Sequence, residues 1–331
     1  MAEPVLLNPS IFRPGSKLDG PRTVNFLVTK GGIGDYISWM PAILWIARNH
    51  PQVHGRLFVP PYFRDVAENL FSPFPNWKLK STKDFTDKDE RTYPTYLPFD
   101  RPINGTGSHG VDLGFIYYTN IIPPPEGADF YPVLDFTETI SPVTLPENFA
   151  VLTPGSTYEN RMFPPSTHND IKDYLVSKGI TPVYLGRSHM TDTRKIHFDE
   201  GYDYTNVINL IDKTTLMQAA LIISKAKLIL GIDNGLLHLA ATTTTPIVFG
   251  YTIAAPWHRK PRRPHGRILD IYPDPEKLTC TFCQSKMRFM FNHDFAKCLY
   301  GDFKCTKEEL SDPGPWIDCI EEILKDERTN T

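Results

Sequence analysis

No apolar stretch of this 331-residue chain approaches the roughly 20 residues that a membrane-spanning helix needs. The apolar run Pro4–Asn8 is too short for a secretory leader and no basic segment precedes it, so a cytoplasmic protein is expected. Cysteine is scarce. Five residues, an odd number, argue against a secreted disulfide framework and for a reducing compartment. The formal charge of −3 supplies no global attraction to nucleic acid or anionic membrane, so any such affinity must be local. A dinucleotide fingerprint is missing as well. Lys30-Gly31-Gly32-Ile33-Gly34-Asp35 lacks the G-x-G-x-x-G spacing and no acidic residue lies near position 55, which disfavours a nicotinamide dehydrogenase.

What is present is an ordinary globular composition, 40% hydrophobic and 22% charged, in a chain longer than one core comfortably serves. Two α/β domains are expected, with boundaries at 1–146 and 147–312 and a C-terminal helix over 313–331 that packs back on them. Val24–Thr29 reads as a buried strand and Tyr36–Asn49 as a helix, with Ile37, Met40, Leu44 and Ala47 on one face. Arg56–Val59 is a second strand, and Pro61 opens a helix through Leu70. Short strands are expected near Asp112–Tyr118. A second alternating series follows: strands at Phe149–Thr153, Pro182–Leu185, Leu228–Gly231 and Ile247–Phe249. Between them lie a helix capped by Ser166 and ending at Gly179, a helix over Thr214–Lys225 and a short helix over Gly235–Ala241. Such alternation implies parallel sheets with right-handed crossovers. Near the end, Trp316, Ile317, Ile320, Ile323 and Leu324 form one apolar stripe.

Three strand ends carry chemistry. At the first, Gly32 and Gly34 let backbone approach a ligand, and Asp35 heads the following helix. Its carboxylate is either a helix cap or a reactive group at the sheet edge where open α/β sheets bind ligands. At the second, Thr153-Pro154-Gly155-Ser156-Thr157 leads to Arg161. Hydroxyls, N–H groups and a planar guanidinium there suit phosphate. At the third, an apolar strand runs into Asp233-Asn234-Gly235-Leu236 and directly into a helix. The N–H groups of Asn234–Leu236 and the helix dipole offer a pyrophosphate seat. Asp233, repelled by phosphate, is expected to brace the loop or bond a hydroxyl. His238 points either at a cleft or into the packing beneath the helix.

These segments resemble the bacterial ADP-heptose:lipopolysaccharide heptosyltransferases and their relatives. Gly34-Asp35 before Pro41 resembles the family's Gly-Asp…Pro segment. Thr153-Pro154-Gly155-Ser156 through Arg161-Met162-Phe163-Pro164 resembles its Pro-Gly-Ala/Ser…Lys-x-Trp-Pro stretch. Asn209-Leu210-Ile211-Asp212-Lys213-Thr214-Thr215-Leu216 is similar to its Asn-Leu-x-Gly-Lys-Thr-Ser-Leu. Asp233-Asn234-Gly235-Leu236-Leu237-His238-Leu239-Ala240-Ala241 before Pro246 resembles Asp-Thr-Gly-x-x-His-Leu-Ala-Ala…Pro. The resemblance implies an α/β GT-B fold, two Rossmann-like domains with parallel sheets facing across a cleft. It implies an inverting, metal-independent glycosyltransferase with no cofactor, a nucleotide-diphosphate-sugar as donor, and a glycan or lipopolysaccharide-type acceptor. Asp35 becomes the catalytic base. The donor falls to Ser156, Thr157, Arg161, Gly186, Lys213, Asp233, Asn234, Gly235, Leu236 and His238. The departures are Arg161 for lysine, Phe163 for tryptophan, Asn234 for threonine and Asp212 for glycine.

Two features lie outside that core. Trp257–Arg267 holds five cations, Arg259, Lys260, Arg262, Arg263 and Arg267, interrupted by prolines. Such a run is either a solvated loop or a cation-lined, extended segment for a phosphate-bearing partner, so Arg259, Lys260, Arg262 and Arg263 join Gly32 and Gly34 as acceptor or cleft candidates. DNA with a hydroxylated base is then an alternative acceptor, and a nucleotide-sugar-binding protein without turnover is the alternative from another class. Cys280, Cys283, Cys298 and Cys305 match the count of a zinc site but not a zinc spacing, so buried free thiols are expected, with no catalytic metal.

Overall fold

The computed structural model describes residues 22–27, 32–85, 131–188, 201–287, 298 and 300–329. The strands expected near 112–118 lie outside them. The chain divides into two compact units. The first comprises Met1–Glu138, Thr215–Met217 and Pro261–Pro264; the second comprises Thr139–Thr214, Gln218–Lys260 and His265–Thr331.

In the first unit, β1 (Arg22–Leu27), β2 (Val53–Val59) and β3 (Lys78–Ser81) form a parallel sheet in that order. Helix α1 (Ile33–Asn49) follows β1, and β2 leads through a 3-10 turn at Pro61–Phe63 into α2 (Arg64–Phe71). The proline sits at the first position of that turn, where its missing N–H is not needed. Phe26 stacks on Trp77 at 5.1 Å and Tyr36 on Phe63 at 4.8 Å, giving this unit an aromatic core.

The second unit is a six-stranded, all-parallel sheet. Its strands are β4 (Phe149–Leu152), β5 (Thr181–Tyr184), β6 (Ile208–Asn209), β7 (Ile229–Ile232), β8 (Ile247–Gly250) and β9 (Ile268–Ile271). Their order is β6-β5-β4-β7-β8-β9. Counted from its own first strand this is 3-2-1-4-5-6, the doubly wound order whose direction reverses between β4 and β7. Helices α3 (Pro165–Ser177), α4 (Leu216–Lys225), α5 (Gly235–Leu239) and α6 (Pro256–Arg259) belong to the connections. Near the end come α7 (Cys283–Met287), α8 (Lys304–Lys307) and α9 (Gly314–Thr329).

Strands β4, β7 and β8 are buried throughout and β5 is buried from Pro182 onward, as expected for strands covered on both faces. Ser166 does not cap α3. Pro165 takes the first helical position, and no side chain caps the helix. Gly179, at φ +71°, follows the helix end in the left-handed conformation that glycine adopts most readily. The stripe on α9 packs as expected: Trp316, Ile320 and Ile323 join the core of the sheet. Trp316 rests against Gly250, where a Cβ would stand 2.6 Å from its ring, so the last position of β8 must be glycine. Among the described residues no helix is long and apolar enough to cross a membrane.

Candidate donor site at the switch point of the second sheet

Open parallel sheets bind ligands beyond the carboxyl ends of their strands, where the strand order reverses. Here that point lies between β4 and β7, and two of the motifs read from the sequence emerge there side by side. Asn234 Nδ2 donates to Thr153 Oγ1 at 2.7 Å, and Thr153 Oγ1 donates to the Leu230 carbonyl at 3.1 Å. Gly231 makes this approach feasible, because a Cβ there would sit 2.0 Å from Thr153 Oγ1.

Beside this bridge lies a buried ionic cluster. Arg161 Nη1 donates to Asp233 Oδ2 at 3.1 Å and its Nη2 to Thr157 Oγ1 at 3.1 Å. The guanidinium carbon rides 4.3 Å above the Tyr158 ring. Arg259 Nε lies 3.9 Å from the same Asp233 oxygen. His238 Nε2 lies 3.2 Å from Asp233 Oδ1, and its ring meets Phe249 edge-on at 5.5 Å. His238 therefore turns into the packing. Burial alone would raise the Asp233 carboxyl, but the charges of Arg161 and Arg259 and the His238 hydrogen bond outweigh it and hold the group well below the carboxylate range. Asp233 braces the loop through an ion pair. Arg259 and Tyr158 were not expected in this cluster; the one sequence hint was an aromatic three positions before Arg161.

The loop carrying Arg161 is fixed from below. The Tyr202 hydroxyl lies 3.0 Å from the carbonyls of both Pro154 and Phe163, and Thr252 Oγ1 donates to the Asn160 carbonyl at 2.7 Å. Ser156 is buried within the same turn. The N–H groups ahead of α5 are less open than the sequence implies. Leu236 and Leu237 donate to Asn234 Oδ1 at 2.9 and 3.3 Å. Asn234 is thus the cap of this helix, and a phosphate would reach the Leu236 N–H only by displacing it.

At the neighbouring strand ends, the Asp212 N–H donates to the Gly186 carbonyl at 3.0 Å, and Lys213 Nζ donates to the Asn209 carbonyl at 2.9 Å. Asp212 has φ +62°. In the first unit Asp35 holds the third position of α1, and its Oδ2 accepts the Gly32 N–H at 2.6 Å. Gly34 is buried in the same turn, and its carbonyl accepts from Ser38 Oγ at 2.8 Å.

The basic run begins as a short helix and continues from 260 to 267 as neither helix nor strand. Pro256–Arg259 is helical because proline opens it at the first turn. Lys260 Nζ donates to Asp270 Oδ2 at 2.7 Å and Arg267 pairs with Glu322. Burial lowers the Arg263 guanidinium to about 10. Arg262 is exposed.

All five cysteines are free thiols. Burial and the neighbouring Cys280 and Cys298 push Cys283 up to about 11, while burial and the three other thiols push Cys305 up to about 12. Four grouped thiols suit a soft-ligand metal in kind. Yet among the described residues no three His, Cys, Asp or Glu side chains are arranged to hold one.

Residues 133–276 match glycosyltransferase family 9 (heptosyltransferase). That span includes the switch point and every member of the ionic cluster. This segment is similar to the heptosyltransferases, and the chain has the GT-B fold of its structural neighbours. Solved structures share the fold at low identity. The iron-containing dodecameric glycosyltransferase TibC from enterotoxigenic E. coli H10407 aligns with TM-score 0.65 and 16% identity, over 92% of this chain and 78% of that one. The family 9 glycosyltransferase from Veillonella parvula DSM 2008 gives 0.61 and 14%, over 93% and 98%. E. coli ADP-heptose LPS heptosyltransferase II gives 0.56 and 16%, over 93% and 99%. No curated protein matches the chain in sequence.

Asp212 is one of the departures from the motif that the chain resembles. Aspartate stands where the resemblance has glycine, and it holds a left-handed conformation at φ +62°. Its carboxylate accepts the Ser188 N–H at 3.3 Å and the Ser188 hydroxyl at 2.5 Å. Such local bonding is what lets aspartate tolerate positive φ.

Proposed function

We propose that the glycosyltransferase transfers a sugar from a nucleoside-diphosphate-sugar to a hydroxyl of a glycan or lipopolysaccharide-type acceptor, with inversion and with no metal in the chemical step. The observation that carries this reading is the Arg161–Asp233 cluster at the switch point, inside the family-matching segment. It concentrates cations and hydroxyls where a diphosphate would bind. Asp233 is engaged by Arg161, Arg259 and His238, so its lone pairs are spent on the protein rather than offered to a divalent ion.

Asp35 is the base. It takes the proton of the acceptor hydroxyl as that oxygen forms its bond to the anomeric carbon. The bond from this carbon to the phosphate oxygen breaks, and the nucleoside diphosphate leaves with the electron pair. Arg161, Arg259, Ser156, Thr157 and Lys213 stabilise the charge it carries away. The hydrogen bond from Gly32 orients the Asp35 carboxylate and leaves it lone pairs for a proton.

ADP-heptose, bound by TibC in a second structure of that protein, is the first donor to try. TibC is iron-containing; no step proposed for this chain is routed through a metal. A DNA acceptor would draw on the basic run, whose Lys260 and Arg267 already pair with Asp270 and Glu322. The five free thiols suit the cytoplasm. The test is transfer from ADP-heptose to a lipopolysaccharide-core acceptor, with and without chelator. Turnover that persists in chelator supports the proposal, and turnover that stops with chelator and returns with added metal overturns its metal-free step.

A further inference from the structure

Beyond the ends of β8 and β9 the second unit holds a cavity of about 320 Å³ lined by Pro256, Trp257, Asp270, Tyr272, Pro275 and Phe282. That is the lower end of the range for small-ligand sites, roughly 300–1,000 Å³, and gives room for one ring rather than an extended chain. Three aromatic rings shape it. Phe282 is buried at the base. Trp257 meets its ring at 5.3 Å and 76°, and Tyr272 at 5.5 Å and 59°. The two wall rings are unusually open for their size, Trp257 at 60% and Tyr272 at 47% exposure.

The cup is braced. Ser285 Oγ accepts the Ala255 N–H at 2.9 Å and lies 2.7 Å from His258 Nδ1, which ties α6 with Trp257 to α7 beside Phe282. Phe282 has φ +61°, a conformation a bulky residue rarely adopts, and it is held there by its N–H bond to the Thr252 carbonyl at 3.0 Å. Strain of this kind persists where the surroundings over-determine it, and it marks sites that bind.

The polar group in the cup decides the ligand class. An aromatic cage with a free carboxylate would take a cation. Here Asp270 Oδ2 is paired with Lys260 Nζ at 2.7 Å, and Oδ1 accepts from the Tyr251 hydroxyl at 3.2 Å. The carboxylate is already neutralised, which removes the attraction for a cation. Hydrogen-bonding capacity remains, as does a pair of open aromatic faces. A pyranose matches this, because the C–H bonds of one face carry partial positive charge toward a ring's negative face while its hydroxyls bond the carboxylate and ammonium.

We infer that Trp257, Tyr272 and Asp270 form a pyranose-binding subsite that holds a sugar ring of the glycan acceptor or product. This rests on the reading of the chain as a glycan-directed transferase.

The test uses the full chain and its own tryptophan emission, since Trp257 is exposed, Trp45 is half-buried and Trp39, Trp77 and Trp316 are buried. Methyl hexopyranosides and a methyl heptopyranoside are titrated through the millimolar range, with tetramethylammonium in parallel. Expected is a saturable blue shift with a glycoside and protection of Trp257 from iodide quenching. In Tyr272→Ala, glycoside affinity falls roughly tenfold, the scale of one lost stacking contact. In Trp257→Ala the signal disappears. Trp257→Phe, followed by calorimetry, retains binding, which separates stacking from folding. ADP binding is measured on the same samples. Failure of ADP binding in the wild type sinks the transferase reading whatever the glycosides do. Normal ADP binding without a glycoside response, an unchanged response in Trp257→Ala, or a response to tetramethylammonium alone overturns the subsite.

Discussion

Asn234 Nδ2 lies 2.7 Å from Thr153 Oγ1 and ties the ends of β4 and β7 together across residues 81 positions apart in sequence. The same side chain caps α5 through its oxygen. One amide thereby sets the spacing between the two strand ends that carry Arg161 and Asp233, and the geometry of the proposed donor site depends on it.

Asp35→Asn separates base from cap. The amide oxygen of asparagine can still accept the Gly32 N–H, so folding stability should change by no more than about 1 kcal/mol, the scale of one charge–dipole contact. Transfer should fall about 100- to 10,000-fold, because an amide does not take the acceptor's proton. A variant that keeps most of the wild-type rate would reduce Asp35 to a capping residue.

Asp233→Ala leaves Arg161 buried without its carboxylate. Breaking a buried pair from one side costs about 3–5 kcal/mol, readable as a shift in the urea midpoint. The Arg161→Ala, Asp233→Ala double variant should recover part of that loss. Additive losses would mean that the two side chains do not act as a pair.

His168 gives the second unit a pH dependence. Its ring is fully buried on α3, with Nδ1 3.3 Å from the Tyr184 hydroxyl, and burial followed by the Lys172 charge depresses it to about 3. An unfolded chain takes up a proton near the ordinary value of 6.5 while the folded chain does not. Stability should therefore be whole above 6.5 and decline as pH falls toward 3. At pH 4.5 the decline is about 2–3 kcal/mol, before most carboxylates protonate. Urea titrations at pH 7 and 4.5 should show this drop in the wild type and a smaller one in His168→Phe. Equal drops would clear His168 of the effect.

Asp212→Gly keeps the left-handed turn and gives up the bonds to Ser188, so stability should move by less than about 1 kcal/mol. Asp212→Val, with a branched side chain at φ +62°, should cost about 1–3 kcal/mol. Thermal melts of the two variants side by side check the difference. If valine is tolerated as well as glycine, the positive φ is not what selects this residue.

Much of the second unit was legible because burial on both faces of a parallel sheet leaves uninterrupted apolar runs. Phe149–Leu152, Ile229–Ile232 and Ile247–Gly250 stand within about a residue of where their composition places them. Edge strands lack that signal. Ile208–Asn209 is only two residues long, and Ile268–Ile271 follows a cationic run that drew the eye to charge. At the site, the strand-end motifs identified Arg161 and Asp233 but not their pairing, since contact across 72 positions follows from strand order rather than from spacing. The aromatic cup was illegible for the same reason. Trp257, Tyr272 and Phe282 share no period and meet only once β8 and β9 lie side by side.

The reversal of strand order also sets a schedule. During synthesis β4, β5 and β6 emerge and pair in sequence, yet β4 keeps an open edge until β7 arrives. Over that interval Arg161 has left the ribosome and Asp233 has not, so the guanidinium stays hydrated and its loop has no ionic anchor. Closing so long a loop is slow and comes late. The candidate donor site thus cannot form before β7 is in place, and a nascent chain acquires it only when β4 and β7 are joined.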